Sequence, residues 1–406
     1  MANALVFNPG SNSLKFELAV LDPGQSRAGE ALRLASAAID DIGKAGGSGK
    51  LSVYQGRDVV SSTPCDAPDM QAAVRQALAW LHAQENLRPP LEKLTFAGVR
   101  VVHGGSGYAT ATAVTDKVRA DIEDLEELAP LHNKSSLTVL QVLDAELPGV
   151  QQMAAFDTAF HRTLPEVAWR YPIDRATADR YGVRKYGFHG LSHRYMLEQY
   201  AATVGKRPED VSIVTLHLES GCSACAIRNG RSIDTTMGLT PLEGLMMGSR
   251  SGSLDPGILP YLMEKQGVGI GEIMTLLNKH SGMIGIAGGS LDTRELVKRD
   301  DDPAKLALNM FSYRVRLAVG AYLAALGNAE AVLFGGGIGE DSPWLRADVC
   351  PGLQGWGLEL DEDANQSIAG QVRISKPDSR LAAWAMPVEE GLQIAHECLQ
   401  AFISSI

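Results

Sequence analysis

The sequence predicts an α/β fold in two domains. Three observations carry that prediction: strand patterns alternate with helical periodicity, one strand-turn-strand pattern recurs near the start of each half, and 406 residues exceed what one hydrophobic core usually supports.

The first hairpin is legible at once. Ala4-Leu-Val-Phe7 is apolar, Asn8-Pro-Gly-Ser-Asn12 carries turn chemistry, and Leu14, Phe16 and Leu18 alternate with polar neighbours. Helical periodicity follows over residues 70–84, 120–128 and 137–146. Met153-Ala-Ala-Phe156 is a short apolar run, so Asp157 is expected at a strand end, with a cap or turn role as the alternative to chemistry. Gly187 and Gly190 interrupt helical patterning, which places His189 in a loop and leaves His193 as a surface or packing residue at the start of a helix over 192–204. Ile213-Val-Thr-Leu216 then runs into Glu219-Ser-Gly221 and on through Ala226-Ile227, repeating the hairpin and suggesting an internal duplication. Helices are expected over 270–278 and 303–326. A buried strand is expected over 329–334, with Gly335-Gly-Gly-Ile-Gly339 as a loop that lets a ligand approach the backbone.

Composition narrows the function class. With 45% hydrophobic and 21% charged residues, no segment reads as a disordered tail, and a net charge of -11 argues against a broad nucleic-acid or anionic-membrane surface. No leader or spanning run is apparent, so a cytoplasmic protein is expected. The five scattered cysteines are expected to be reduced, and the lone Cys222-x-x-Cys225 lacks the second pair that a zinc site needs. Gly43-Lys-Ala-Gly-Gly-Ser-Gly-Lys50 has the wrong spacing for a P-loop and places Leu51 where a magnesium-binding hydroxyl belongs, so it reads as a loop between strands.

Phosphoryl transfer needs donors around phosphate, fixed positive charge for its oxygens, and carboxylates that order magnesium. The chain offers each. Asn8, Ser11, Ser13 and Lys15 lie on the first hairpin, Arg100 precedes Val101-Val-His103-Gly-Gly105, and Arg250 sits in Gly248-Ser-Arg-Ser-Gly252. Arginine among glycines and serines is rarely needed for packing, although a plain surface arginine is the alternative. Spacing alone leaves His103, His161 and His217 unassigned.

Taken together, these segments resemble the acetate kinase family of short-chain carboxylate kinases, in the sugar kinase, Hsp70 and actin superfamily. The matching stretches are Asn8-Pro-Gly-Ser-Asn-Ser-Leu-Lys15, Arg100-Val-Val-His-Gly-Gly105, Leu128-Ala-Pro-Leu-His-Asn133, Phe156-Asp-Thr-Ala-Phe-His161, Tyr186-Gly-Phe-His-Gly190, Asp234-Thr-Thr-Met-Gly-Leu-Thr-Pro-Leu-Glu-Gly-Leu-Met-Met-Gly248 and Gly336-Gly-Ile-Gly-Glu340. The resemblance implies two duplicated actin-like (ribonuclease H-like) domains with an interdomain cleft: residues 1–156 plus a returning helix 392–406, and a nucleotide-binding domain over 157–391. It implies reversible in-line phosphoryl transfer between ATP and acetate, with magnesium or manganese as cofactor and a homodimer as assembly. Arg100 and Arg250 would hold the carboxylate and the phosphoryl group, His189 would stabilise the transition state, and Asp157, Asn8 and Glu390 would order the metal. Val102, Leu131, Phe188 and Pro241 would form the acid pocket beside Arg100. Lys15, His217, Leu218, Glu219, Ser220, Gly221, Asp292, Thr293, Arg294, Gly337, Ile338, Gly339, Glu340 and Asp341 would face the nucleotide.

The chain departs from that pattern mainly on the nucleotide side. His217-Leu-Glu219-Ser220-Gly221 stands where the family has His-Leu-Gly-Asn-Gly, with further changes at Asn12, Gly335, Asp341, Val388 and Glu389. These changes raise a donor other than ATP, such as pyrophosphate, as an alternative; the rival readings beside it are another short-chain carboxylate kinase, such as a propionate kinase, and a weakly catalytic nucleotide or acyl-phosphate sensor.

Overall fold

The computed structural model describes residues 1–44, 46–84, 91–129, 132–289, 293–367 and 370–405. They form two compact units. The first comprises Met1–Arg162, Gly190–Tyr195 and Glu389–Ile406, and the second Thr163–His189 and Met196–Val388. The first unit thus runs past the expected 156 boundary and takes Asp157 with it. It also takes Glu389 and Glu390, which the sequence placed in the second domain.

In the first unit β1 (Ala2–Pro9), β2 (Leu14–Leu21), β3 (Leu32–Asp40), β4 (Ser48–Gln55) and β5 (Asp58–Asp66) form an antiparallel meander. On the other side of β1, β6 (Phe96–Val101) and β8 (Gln151–Phe156) add in parallel, and β7 (Thr112–Ala113) closes the edge antiparallel to β8. Alternation along β1 and β2 sends Leu5, Phe7, Leu14, Phe16 and Leu18 to one face of the sheet. There they join α1 (Met70–His82) and α2 (Asn133–Glu146) in one apolar core. Ala4, Val6 and Ala19 point to the other face, against the last helix.

The second unit repeats this order. Strands β9 (Ile213–Leu218), β10 (Cys222–Arg228) and β11 (Arg231–Thr235) form a meander, β12 (Ala331–Gly335) and β14 (Ala382–Ala385) add in parallel beside β9, and β13 (Val372–Arg373) closes the edge antiparallel to β14. Three meander strands, two parallel strands and a two-residue edge strand occur in both sheets, the duplication suggested by the two hairpins. The first unit adds β4 and β5 to that pattern.

Several expectations need correction. Helix α3 (Gly190–Thr203) starts at the glycine read as an interruption. A Cβ there would lie 2.1 Å from the Asp157 carbonyl, so only glycine lets the helix begin against that strand end. Of the two readings left open for His193, packing holds: it is buried and its ring meets His161 edge-on. The segment read as a glycine loop is a short helix, α5 (Gly336–Asp341), which follows α4 (Asp302–Leu326) and β12. Gly336 has φ +73, and a Cβ there would stand 2.7 Å from the Leu218 carbonyl, so strand packing requires that glycine. The expected 120–128 helix ends at Asp124 and finishes as a 3₁₀ turn. The residues 48–50 of the rejected P-loop already belong to β4. The last helix, α6 (Glu390–Ser405), packs its apolar face on β1 and β2.

Candidate active site

In open α/β sheets functional groups gather beyond the carboxyl ends of parallel strands. In the first unit those ends belong to β1, β6 and β8, and they carry Asn8, Arg100 and Asp157. Asp157 is wholly buried, and Arg100 grips it as a fork, with Nε 2.9 Å from one carboxylate oxygen and Nη2 donating to the other. Nη1 of Arg100 donates to Oδ1 of Asn8 at 2.9 Å, and the amide of Asn8 donates to Glu390 at 2.8 Å. The buried Ser192 hydroxyl completes the chain by donating to the second oxygen of Glu390. One hydrogen-bonded relay therefore joins Asp157, Arg100, Asn8, Glu390 and Ser192. Removing either partner of the Arg100–Asp157 pair would take the ion-pair partner from a largely or wholly buried charge.

The structure also fixes the backbone around this relay. The side chain of Asn133 accepts from the His103 N–H and donates to the His103 carbonyl, both at 3.0 Å, while Ser136 donates to the Arg100 carbonyl at 2.9 Å. His103 accepts from the Gly105 N–H through Nδ1 and is a buried structural residue. Asp157 and Glu390 offer hard oxygen donors with amide and hydroxyl oxygens beside them. Magnesium takes one or two carboxylates and keeps waters and phosphate oxygens for its remaining positions, so this donor set fits it. Among the described residues no group of three His, Cys, Asp or Glu side chains could cage a metal alone.

The second unit presents a different arrangement around the β9–β10 turn. His189 has φ 58, a left-handed conformation that costs a non-glycine residue roughly 1–2 kcal/mol. Its Nδ1 lies 2.9 Å from the buried Ser223 hydroxyl, and its ring sits 4.4 Å from that of His217. A Cβ placed on Gly221 would stand 3.3 and 3.4 Å from His189 Cε1 and Nε2 and 3.6 Å from Nη1 of Arg250. The imidazole edge and the guanidinium thus converge on the one turn residue without a side chain. Arg250 is largely buried, and burial pushes its pKa below the ordinary guanidinium value. Its protein partners are the Pro241 carbonyl at 3.1 Å and the Met247 sulfur at 3.9 Å, and among the described residues no carboxylate lies in ion-pairing distance. A largely buried cation held by neutral acceptors could pair with an anion.

The remaining predicted residues fall as follows. Val102 is buried in the first unit, Phe188 and Pro241 belong to the second, and Leu131 lies outside the described residues. Lys15 is exposed on β2 opposite Asn8. His217 and Leu218 are buried at the end of β9, Ser220 is exposed, and the half-exposed Glu219 places its carboxylate 3.8 Å from Nε2 of His217. Gly337 is open to solvent, Ile338 is half-buried and Gly339 packs on Phe334. Glu340 is buried and accepts from the Val388 N–H at 3.1 Å, while Asp341 is exposed. Thr293 and Arg294 open a short helix, and Asp292 lies outside the described residues. Cys222 and Cys225 are both buried on β10, and burial pushes the Cys222 thiol up to about 12, so it stays protonated. Ser192, Ser223, Asn133 and Ser136 were not anticipated. Their partners lie far away in sequence, and a lone serine or asparagine carries no local signature.

Comparison with known proteins gives a consistent answer. The model of the acetokinase family matches residues 3–396. An acetate kinase of Chloroherpeton thalassium is 42% identical over 407 residues, covering 97% of this chain and 98% of that protein. The crystal structure of Porphyromonas gingivalis acetate kinase superposes with a TM-score of 0.88 at 35% identity, over 99% of this chain and all of that one. A propionate kinase structure from Francisella tularensis also scores 0.88, at 32% identity and 98% coverage. The two sheets are those of the duplicated actin-like fold that the sequence motifs imply. No helix among the described residues is long and apolar enough to cross a membrane.

Proposed function

Because the chain belongs to the acetokinase family, we propose that it is an acetate kinase, transferring a phosphoryl group reversibly between ATP and acetate. The observation that carries this reading at the level of chemistry is Arg250, a largely buried guanidinium without a carboxylate partner among the described residues, converging with His189 on Gly221.

An oxygen of the acetate carboxylate attacks the γ-phosphorus, a new P–O bond forms to give acetyl phosphate, and the bond to the β-phosphate oxygen breaks to release ADP. Charge spreads over the three equatorial oxygens at the transition state, so catalysis is positioning and charge neutralisation. Arg250 supplies fixed positive charge and a planar pair of donors. Ser223 fixes the plane of His189, which lets its other edge donate to an equatorial oxygen. Arg100 is held rigidly by Asp157 and Asn8, which suits it to orient the substrate carboxylate. Magnesium, held through Asp157, Asn8 and Glu390, would neutralise phosphate charge. The nucleotide contacts are assigned to His217 through Gly221, Asp292 through Arg294 and Gly337 through Asp341, and the acid pocket to Val102, Leu131, Phe188 and Pro241. A homodimer completes the reading, and light scattering checks it.

One observation favours a second reading. The Glu219 carboxylate stands beside His217 in the turn that would face the phosphates, and the Glu219 N–H is spent on the Gly221 carbonyl, so the turn that would grip the nucleotide's phosphates is altered and a donor other than ATP, such as pyrophosphate, is the alternative. The test is acyl phosphate formation, trapped as hydroxamate, with acetate or propionate and with ATP or pyrophosphate, against an Arg250→Met control. ATP-dependent acetyl phosphate lost in the control is the expected result. Product from pyrophosphate alone would establish the second reading, and no product from any pair would overturn both.

A further inference from the structure

We propose that Arg33 is a positioning residue for Glu390, acting through the two residues that flank it. Arg33 lies on β3 where the register with β2 slips: Leu18 pairs with Ala35 and Ala19 with Arg33, so Leu34 is extra. Such a bulge re-aims the neighbouring side chain. Nε of Arg33 donates to Glu17 at 2.9 Å, and Nη2 donates to Glu389. Glu17 in turn abuts the first turn of α6, since a Cβ on Gly391 would lie 2.4 Å from its carboxyl carbon. The residue before Glu390 is therefore tied to the guanidinium directly, and the residue after it is blocked by the carboxylate that the same guanidinium holds.

All three charged side chains are largely shielded, with exposures of 18% for Arg33, 14% for Glu17 and 28% for Glu389. Burial and the nearby Glu389 charge push the Glu17 carboxyl up, while Arg33 opposes that shift and is itself held more firmly protonated by the two acids. One cation thus secures two carboxylates that would otherwise repel. The beneficiary is the backbone between them, from which Glu390 reaches Asn8 and Ser192. Groups that orient a metal-ordering carboxylate from behind typically govern metal affinity by about 10–100-fold.

This inference rests on the reading that Glu390 orders the divalent ion. Its test is titration of the full chain with Mn2+, read by electron paramagnetic resonance, alongside the magnesium concentration for half-maximal rate. Arg33→Met is expected to weaken both by about 10–100-fold with little change in the acetate KM, and Arg33→Lys to fall between. Because Arg33→Met strands Glu17, the double variant Arg33→Met/Glu17→Gln removes the orphaned charge, and it is expected to keep the metal defect with native thermal stability. Glu390→Gln separates the two ideas. If it weakens Mn2+ binding and the Arg33 variants do not, the positioning role is overturned while the metal reading stands. If Glu390→Gln also binds Mn2+ normally, the metal reading falls and takes this proposal with it.

Discussion

Replacing Arg250 with methionine should separate function from stability in a way few active-site changes do. The guanidinium is largely buried, with one carbonyl and one thioether as its partners among the described residues. Losing the bond to the Pro241 carbonyl should cost about 1 kcal/mol. Against that stands the cost of keeping a largely buried cation with no carboxylate beside it among the described residues, about 1–3 kcal/mol once partial exposure to solvent is allowed for, and methionine fills most of the same volume with an apolar stem. The balance predicts a change in folding stability between zero and about 2 kcal/mol in favour of the variant, which moves the Tm of a domain this size by a few degrees upward at most. Activity should move the other way. An arginine that neutralises the transferring phosphoryl group is worth about 10³–10⁵ in rate, or ~4–7 kcal/mol. Hydroxamate-trapped acetyl phosphate gives the rate and calorimetry gives the Tm. Phosphate added to both proteins should raise the Tm of wild type only, since binding to the folded state stabilises by mass action. A variant that melts 5 °C or more below wild type, or one that turns over within tenfold of it, would refute the reasoning. The first result would make Arg250 a structural residue, and the second would leave its charge without a catalytic use.

Arg100→Met should behave in the opposite sense, because it takes the ion-pair partner from the fully buried Asp157 carboxylate. Unfolding in denaturant should show a loss of about 3–5 kcal/mol, largely recovered in Arg100→Met/Asp157→Asn. Gly221→Ala puts a methyl group where His189 and Arg250 converge, so kcat/KM should fall by about 10–100-fold while the Tm stays within roughly 2 °C. His396 is buried on α6 with its pKa lowered by burial from 6.5 to about 4, and its Nδ1 lies 3.4 Å from the Gln25 amide nitrogen. The unfolded chain takes up that proton first, so stability is lost as pH falls from about 6.5 towards 4. The loss is about 2 kcal/mol at pH 5, and His396→Gln should flatten that part of the stability profile.

What the sequence disclosed, and what it hid, divides by range. The two hairpins and the strand-end position of Asp157 rest on alternation and turn chemistry within a few residues, and the structure has them where local patterning puts them. Local rules failed at Gly190. Helix propensity says stop there, but the Asp157 carbonyl, 33 positions earlier in the chain, admits only a glycine, and tertiary packing overrode propensity. The glycines after β12 failed for the same reason, since Gly336 answers to Leu218 on a neighbouring strand. Residues that hold the site in place were less visible still. Ser192 and Glu390 are 198 positions apart, and Arg33 and Glu389 are 356 apart. Only the folded chain brings such pairs together, so motif matching finds the groups that would touch substrate and misses those that aim them.

The second phosphate turn is where these two kinds of information meet. A carboxylate 4 Å from a phosphate, at an effective dielectric near 20, would repel it by about 4 kcal/mol. The structure moderates that figure. Glu219 is 46% exposed on its side chain and lies 3.8 Å from His217, so water screens the charge and an imidazole can share it. Screening brings an exposed charge down to the range of about 1 kcal/mol or less. The backbone tells the other half: the Glu219 N–H is used within the turn, donating to the Gly221 carbonyl at 3.1 Å, and its carbonyl accepts from the Cys222 thiol. A turn that binds phosphate through backbone donors loses one of them here. On the proposed reading, charge repulsion and a spent donor would both weaken the grip on the distal phosphates, yet neither touches Arg250 or His189, the groups proposed to act on the phosphoryl being transferred. The substitutions in this turn would therefore bear on which donor binds and how tightly, while the means of transfer proposed here would be carried by residues that the turn leaves in place.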